Sequence, residues 1–257
     1  MLSIERREKL KQVFLQKKSV TVEDMAKEFN VSTETIRRDF NSLSDEGFIT
    51  KTYGGATLKY RANSLVTHQE KTGILVENKR LMARQAAKFI QPNDCIFLDH
   101  STTVYELCNE IENIPLTVIT NSLFIINRLA GISNIKLISP GGNFVMSEQG
   151  FFGLEAVRYL QRHHMDKAFI SCRSLDMKRG LNDSDEIVSE MRRSIINSAN
   201  YTYLLADHTK FGKSAFISTS DFSSIRYLIT DKPLDKEWRD FLKEEHVKIY
   251  ECMGHSN

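Results

Sequence analysis

The sequence predicts an α/β protein in two parts: a small helical unit first, then a larger α/β domain with a mainly parallel sheet. Three observations carry this. The chain has 257 residues, which at roughly 100–200 residues per domain makes about two domains. Residues 2–56 set short amphipathic helices close together and end in an alternating run. From Lys79 onward, strand-sized apolar runs alternate with helical patterns, as in a parallel sheet with crossover connections.

The elements follow in order. Leu10, Val13 and Phe14 mark a first helix, and Val22, Met25, Ala26 and Phe29 recur at helical spacing as one apolar face. Thr21 and Asp24 stand at capping-box spacing before that face. Asn30 suits the left-handed turn that ends it, and Ser32 can cap the next helix, whose stripe is Ile36, Phe40 and Leu43. Two short helices about three residues apart make a helix-turn-helix. After Gly47, FITKTYGG reads as a small hairpin or wing. Residues 1–56 are therefore read as a winged helix-turn-helix, and residues 57–78 as a linker, the alternative being a helix that joins the domains or pairs with a second subunit. In residues 79–257 strands are expected at Ile96–Leu98, Val118–Ile119, Ile135–Ile138, Ala168–Ile170, Tyr203–Ala206, Tyr227–Ile229 and Val247–Tyr250. Helical patterns fall between most of them, among them Leu81–Ile90, Val104–Ile111 and Ile187–Ala199.

Composition narrows the function classes. The chain is 41% hydrophobic and 26% charged, the balance of a soluble globular protein. A net charge of +2 means that nucleic-acid binding must come from a local patch. Charges in MLSIERREKL argue against a secretory signal, and the apolar runs are too short to span a bilayer. Cys95, Cys108, Cys172 and Cys252 are scattered, which fits free thiols in a reducing, cytoplasmic compartment. His163 and His164 lack the spacing of a zinc site, so no metal is expected.

With Ile36, Phe40 and Leu43 inward, the second helix of the pair turns Glu34, Arg38, Asn41 and Ser42 outward, with Thr35 and Arg37 on the flanks. A helix in the major groove reads bases near its N-terminus, and arginine pairs bidentately with guanine. Lys51 on the wing, with Lys59 and Arg61 beyond it, suits phosphates. Arginines alone are more often a solvated face, here paired with Glu34 and Asp39; the capped helices and wing favour DNA.

In the second domain, polar clusters stand where strands end: Asp99 to Thr103, Thr120 to Ser122, Ser139 to Gly142 and Asp207 to Lys210. Ligands of open α/β sheets bind outside the carboxyl ends of strands. The Ser101-Thr102-Thr103 turn offers hydroxyls and amides to a phosphate, Lys210 a cation, and Asp99 an acceptor for sugar hydroxyls. Each cluster alone is ordinary capping or turn chemistry; four in one domain favour a site.

SVTVEDMAKEFNVSTETIRRDFNSLSDEGFITKTYGGA resembles the DNA-binding domain of the DeoR family of bacterial transcriptional regulators. The resemblance implies a winged helix-turn-helix whose recognition helix begins near Ser32; together with the helix reading above, the candidate DNA-binding residues are Ser32, Glu34, Thr35, Arg37, Arg38 and Lys51. LDHSTT, VITNS, LISPGGNF, DKAFIS, GLNDSDE and LLADHTKFGKSAF are similar to successive motifs of that family's effector domain. That domain is related in fold to ribose-5-phosphate isomerase and glucosamine-6-phosphate deaminase, and binds phosphorylated sugars. Carried over, Asp99, Ser101, Thr102 and Thr103 match the phosphate loop, and Asn121, Gly141 and Gly142 the neighbouring strand ends. Asp183 and Glu186 match a polar loop, Arg192 stands where lysine is usual, and Lys210 matches the family's lysine. Ser101, Ser171 and Ser174 replace glycines common in the family, and the DxSTT loop with FISCxxLD looks more like the fucose-type members. Serine narrows the pocket and adds a hydroxyl.

The expectation is a repressor of a sugar-metabolism operon that binds a double-stranded DNA operator as a homo-oligomer, without a cofactor, its affinity set by a phosphorylated sugar. The alternative is a sugar-phosphate isomerase or deaminase using Asp99, Asp183, Asp185, Glu186, His100 and His208 for proton transfer. An enzyme has no need of the N-terminal unit.

Overall fold

A computed structural model describes residues 3–17, 19–45, 48–58 and 71–252. The chain divides into two compact units, Met1–Leu75 and Val76–Asn257.

In the first unit α1 (Ser3–Lys17), β1 (Ser19–Thr21), α2 (Val22–Phe29), α3 (Thr33–Asp45), β2 (Ile49–Thr52) and β3 (Gly55–Leu58) follow one another. Thr21 Oγ1 accepts the Asp24 amide and donates to its carboxylate, which starts α2. Asn30, with φ of 52°, ends it in the left-handed region. Ser32 Oγ then accepts the Thr35 amide at the start of α3. Leu10, Phe14, Met25, Ile36, Phe40 and Leu43 form the core, with the Phe14 and Phe40 rings 5.2 Å apart. The wing is the hairpin β2–β3, and β1 pairs with β3 to make three strands. Gly55 permits this: a Cβ there would lie 2.4 Å from the Val20 carbonyl oxygen.

The second unit contains α4 (Val76–Ala87), β4 (Cys95–Leu98), α5 (Thr102–Tyr105), α6 (Cys108–Ile111), β5 (Leu116–Thr120), α7 (Leu123–Leu129) and β6 (Ile135–Ile138). The chain continues through β7 (Asn143–Val145), β8 (Gly150–Phe152), α8 (Leu154–Gln161), β9 (Met165–Ile170), β10 (Ser174–Asp176), β11 (Gly180–Asp183) and α9 (Glu186–Asn197). Last come β12 (Ala199–Leu205), β13 (Ile217–Ser220), β14 (Tyr227–Thr230), α10 (Lys236–Glu244) and β15 (Lys248–Glu251). The main sheet has seven strands in the order β15-β14-β12-β9-β4-β5-β6, every pairing parallel. All seven expected strands lie in it.

Strand residues alternate between two cores. Phe97, Ala168, Ile170, Leu204 and Leu228 pack with α8, α9 and α10, whereas Ile96, Leu98, Phe169, Leu205 and Ile229 pack with α4 to α7. The sheet is thus covered on both faces, as parallel sheets are. The first strand, β4, is interior: β5 and β6 extend to one side of it, and β9, β12, β14 and β15 to the other. The direction of winding therefore switches between β4 and β9, where such sheets bind ligands.

Two features depart from the sequence reading. The hairpin β7–β8 and a small antiparallel sheet, β10-β11-β13, lie outside the alternating pattern. Their sequences are too short (NFV, GFF) or too polar (SLD, GLND, ISTS) to show as apolar runs. The stretch expected to link the domains also carries structure at both ends, β3 reaching Leu58 and α4 beginning at Val76.

Because the described residues of both cores of the second unit all lie from Val76 onward, a fragment 76–257 is expected to fold alone. A cooperative urea transition by circular dichroism checks this; a fragment without one overturns it.

Candidate functional site

In the first unit, α3 presents Ser32, Glu34, Arg37 and Arg38 to solvent, with Thr35 half-buried. Arg38 Nε lies 3.6 Å from Glu34 Oε1, an exposed pair that holds it only weakly. Lys51 on the wing donates to Asn41 Oδ1 at 2.9 Å, which joins wing and helix. Asp39, read from sequence as a surface partner for the arginines, is instead buried, and Arg6 Nε and Nη2 donate to its carboxylate at 2.5 and 3.2 Å. That hydrogen bond first, and then the charge of Asp39, raise the Arg6 pKa. Arg37 and Arg38 are thereby left facing outward. Lys59 and Arg61 lie outside the described residues.

In the second unit the expected residues gather at the carboxyl ends of the strands. Asp99 follows β4 and is fully buried. Its Oδ1 accepts the Ser101 amide and its Oδ2 the Ser171 amide, each at 2.9 Å, so this one carboxylate bridges the ends of β4 and β9. With Arg192 Nη1 also 3.4 Å from Oδ2, Asp99 holds the turn together rather than offering a free acceptor to sugar hydroxyls.

Ser101 Oγ accepts the Val104 amide and starts α5. The amides of Thr102 and Thr103 have no acceptor among the described residues, as expected in a first helical turn. Lys79 Nζ donates to Thr102 Oγ1 at 3.0 Å. Lys79 is 4% exposed and was missed by the sequence reading. A lysine three and four residues before Met82 and Ala83, in the apolar stripe of α4, is the signal that could have found it. Asn78 beside it donates to Asp231 Oδ2 at 2.7 Å, and Asp231 also accepts the His208 amide and faces its ring.

Asn121 follows β5 and is buried; its backbone oxygen accepts the Phe151 amide and its Nδ2 donates to the Phe151 oxygen. The hairpin β7–β8 thus spans several strand ends, with Phe152 against the His100 ring. A Cβ on Gly142, whose φ is +108°, would lie 2.5 Å from the Phe152 oxygen. Gly141 lies in the same loop, its amide 3.4 Å from Ser139 Oγ.

Asp183 and Asp99 share Arg192, which is 3% exposed. Its Nη2 donates to Asp183 Oδ1 at 3.3 Å, and its Nε is 3.2 Å from Oδ2. Burial lowers the Arg192 pKa, but the charges of Asp183 and Asp99 outweigh this and raise it. Thr219 Oγ1 donates to Asp183 Oδ2 at 2.8 Å. Glu186 is exposed at the start of α9, where Asp185 supplies the cap.

Lys210 is half-buried and its side chain has no hydrogen bond or ion pair among the described residues. Burial raises the Asp207 pKa, but the Lys210 charge and bonds from Thr209 outweigh it and lower the pKa overall. Burial pushes the Cys172 thiol up to about 12 against the opposing charge of Lys210. The donors at these strand ends are the Thr102 and Thr103 amides, Lys79 and Lys210, while Asp99 and Asp183 are already paired with Arg192. Among the described residues no three His, Cys, Asp or Glu side chains gather as metal ligands, and no helix is long and apolar enough to cross a membrane.

Comparison with known proteins agrees with both halves. The DeoR-like helix-turn-helix domain matches residues 6–61, and the DeoR C terminal sensor domain residues 75–232. The HTH-type transcriptional regulator IolR of Bacillus subtilis is 32% identical over 97% of this chain and 99% of its own length. The L-fucose operon activator of Haemophilus influenzae is 31% identical over 90% of this chain and 93% of its own length. The glycerol-3-phosphate regulon repressor of Escherichia coli is 26% identical over 91% and 92%. On these matches, which span nearly the whole chain, the protein belongs to the DeoR family of helix-turn-helix transcriptional regulators.

Proposed function

We propose that this protein is a repressor of a sugar-metabolism operon whose affinity for operator DNA is set by a phosphorylated sugar. The supporting observation is the set of donors at the strand ends: the Thr102 and Thr103 amides, Lys79 on Thr102, and Lys210, whose side chain makes no hydrogen bond or ion pair among the described residues. Asp99, Ser101, Asp183 and Arg192 are held together at these strand ends, and Asn121, Gly141, Gly142 and Glu186 are the further residues assigned to the site in this reading. Relatives named for an L-fucose operon and a glycerol-3-phosphate regulon are consistent with a sugar or polyol phosphate as effector.

Most of the groups an isomerase would need for proton transfer are committed elsewhere. Asp99 and Asp183 are bound to Arg192, His208 faces Asp231, and His100 faces Glu148. This favours a cytoplasmic binding protein over an enzyme. Two operator half-sites call for two recognition helices, and the exposed Phe144, Met146, Leu154, Ile187 and Phe216 supply apolar surface for a homo-oligomer.

The test is operator binding by the full chain, with and without sugar monophosphates, alongside a turnover assay. Release of DNA without turnover supports the proposal; turnover of an aldose or ketose phosphate overturns it. Arg38→Ala is expected to cost about 1–3 kcal/mol and relax sequence preference, as for a base-reading arginine. Lys51→Ala should weaken binding to all sequences and reduce the salt slope by about one. Unchanged operator affinity in both Arg37→Ala and Arg38→Ala would remove α3 from the reading role.

A further inference from the structure

The hairpin β7–β8 has one covered face and one open face. Phe152 lies against the His100 ring, and the Phe151 backbone is bonded to Asn121, so the inner face is occupied. On the outer face Phe144 and Phe151 stand directly opposite each other, their rings 5.4 Å apart. Met146, the residue after β7, is 73% exposed, and Leu154, just past β8, is 61% exposed. Ile187 in the first turn of α9 and Phe216 just before β13 are exposed as well. Their elements adjoin the hairpin: α8 and α9 both pack against β8, and β13 packs against α9. Both helices lead back into parallel strands, β9 and β12, and so begin at the carboxyl end of the sheet. Among the described residues of this unit, the remaining exposed large hydrophobic is Tyr201, in the first half of β12 at the other end.

With large side chains offering roughly 150–250 Å² each when fully open, the exposed fractions amount to on the order of 500 Å² of apolar surface at that end. This matches the largest apolar patch of an ordinary monomer, and is more than half of the roughly 800 Å² that one partner gives to a stable interface. Its charge pattern suits a second copy of this chain. A two-fold contact sets a patch against itself, so an exposed charge at its centre would meet its own like. From Asn143 to Phe152 the one charged residue is Glu148, which is buried and faces His100. Beside Leu154, the exposed Glu155 and Arg158 pair at 3.1 Å and offer both signs at the rim. Two operator half-sites also call for two recognition helices.

We propose that the β7–β8 hairpins of two copies meet about a two-fold axis, outer face to outer face, with Leu154 at the edge of the contact. This rests on the homo-oligomer reading above and gives that oligomer its interface. The same hairpin spans the strand ends through Asn121 and His100. Subunit pairing and the candidate effector site therefore share one element, the first using its outer face and the second its inner one.

The experiment is analytical ultracentrifugation of the full chain over a range of concentrations, unmodified and as M146E, L154E and Y201E. The unmodified chain should self-associate. A two-fold contact contains each substituted residue twice, so M146E and L154E should each weaken self-association by roughly thirtyfold or more, as the loss of a hot spot does. Y201E, at the far end of the sheet, should leave it unchanged. Met146 and Leu154 are mostly exposed, so their variants should keep the circular dichroism and melting temperature of the unmodified chain. If a glutamate variant does not fold, M146S or L154S takes its place, with a smaller loss expected in the same direction. If the unmodified chain self-associates and the folded Met146 and Leu154 variants do so with the same constant, the interface lies elsewhere and this inference alone fails. If the unmodified chain is monomeric throughout, the homo-oligomer reading fails and takes this one with it.

Discussion

Replacing Arg192 with leucine is expected to destabilise the second unit by about 3–5 kcal/mol, the usual loss when one partner of a buried ion pair is removed. Asp99 and Asp183 would remain buried with no cation between them. Arg192→Lys keeps the charge but not the fork that reaches two carboxylates, and should fall between. Urea titrations at pH 7.5 check the size and the order of the two variants. A loss under about 1 kcal/mol at pH 7.5 would mean the triad contributes little to the fold.

Lys210→Ala is expected to weaken effector binding by about one to two orders of magnitude, the loss of one charge-assisted contact. Operator binding without effector should stay near normal. Because allostery couples two sites reciprocally, the variant should also respond poorly to effector in a DNA-release titration. Asp207 would lose the positive charge that helps to lower its pKa. A lowered carboxylate contributes stability that is present above its unfolded pKa and lost as pH falls through the folded one. In the variant that loss should begin at a higher pH. Calorimetry with the preferred sugar phosphate and an acid-unfolding series test the two halves; unchanged effector affinity removes Lys210 from the site.

The legible parts of this protein are those where burial is uniform. Strands covered on both faces show as apolar runs, and so runs such as Ile96–Leu98 and Tyr227–Ile229 stood out and fell in one sheet. The helix-turn-helix was legible through its caps, Thr21, Asn30 and Ser32, because each must satisfy a chain-end constraint that few residue types meet. Polar residues just past strand ends led to Asp99, Thr102 and Lys210. What escaped depends on contacts distant in sequence. Asp39 reads as a surface acid until Arg6, thirty-three residues away, is seen to bury it. Lys79 reads as a helix lysine until Thr102 is placed against it.

The opening turn of α4 works as a double clasp. Asn78 fastens it to Asp231 at the end of β14, and Lys79 fastens it to Thr102 just beyond β4, with two strands between those anchor points. This turn is also where the polypeptide leaves the sensor, since the unit begins at Val76. Successive residues of one helical turn thus tie α4 to two separated strands at once, which fixes both its height and its angle on the sheet.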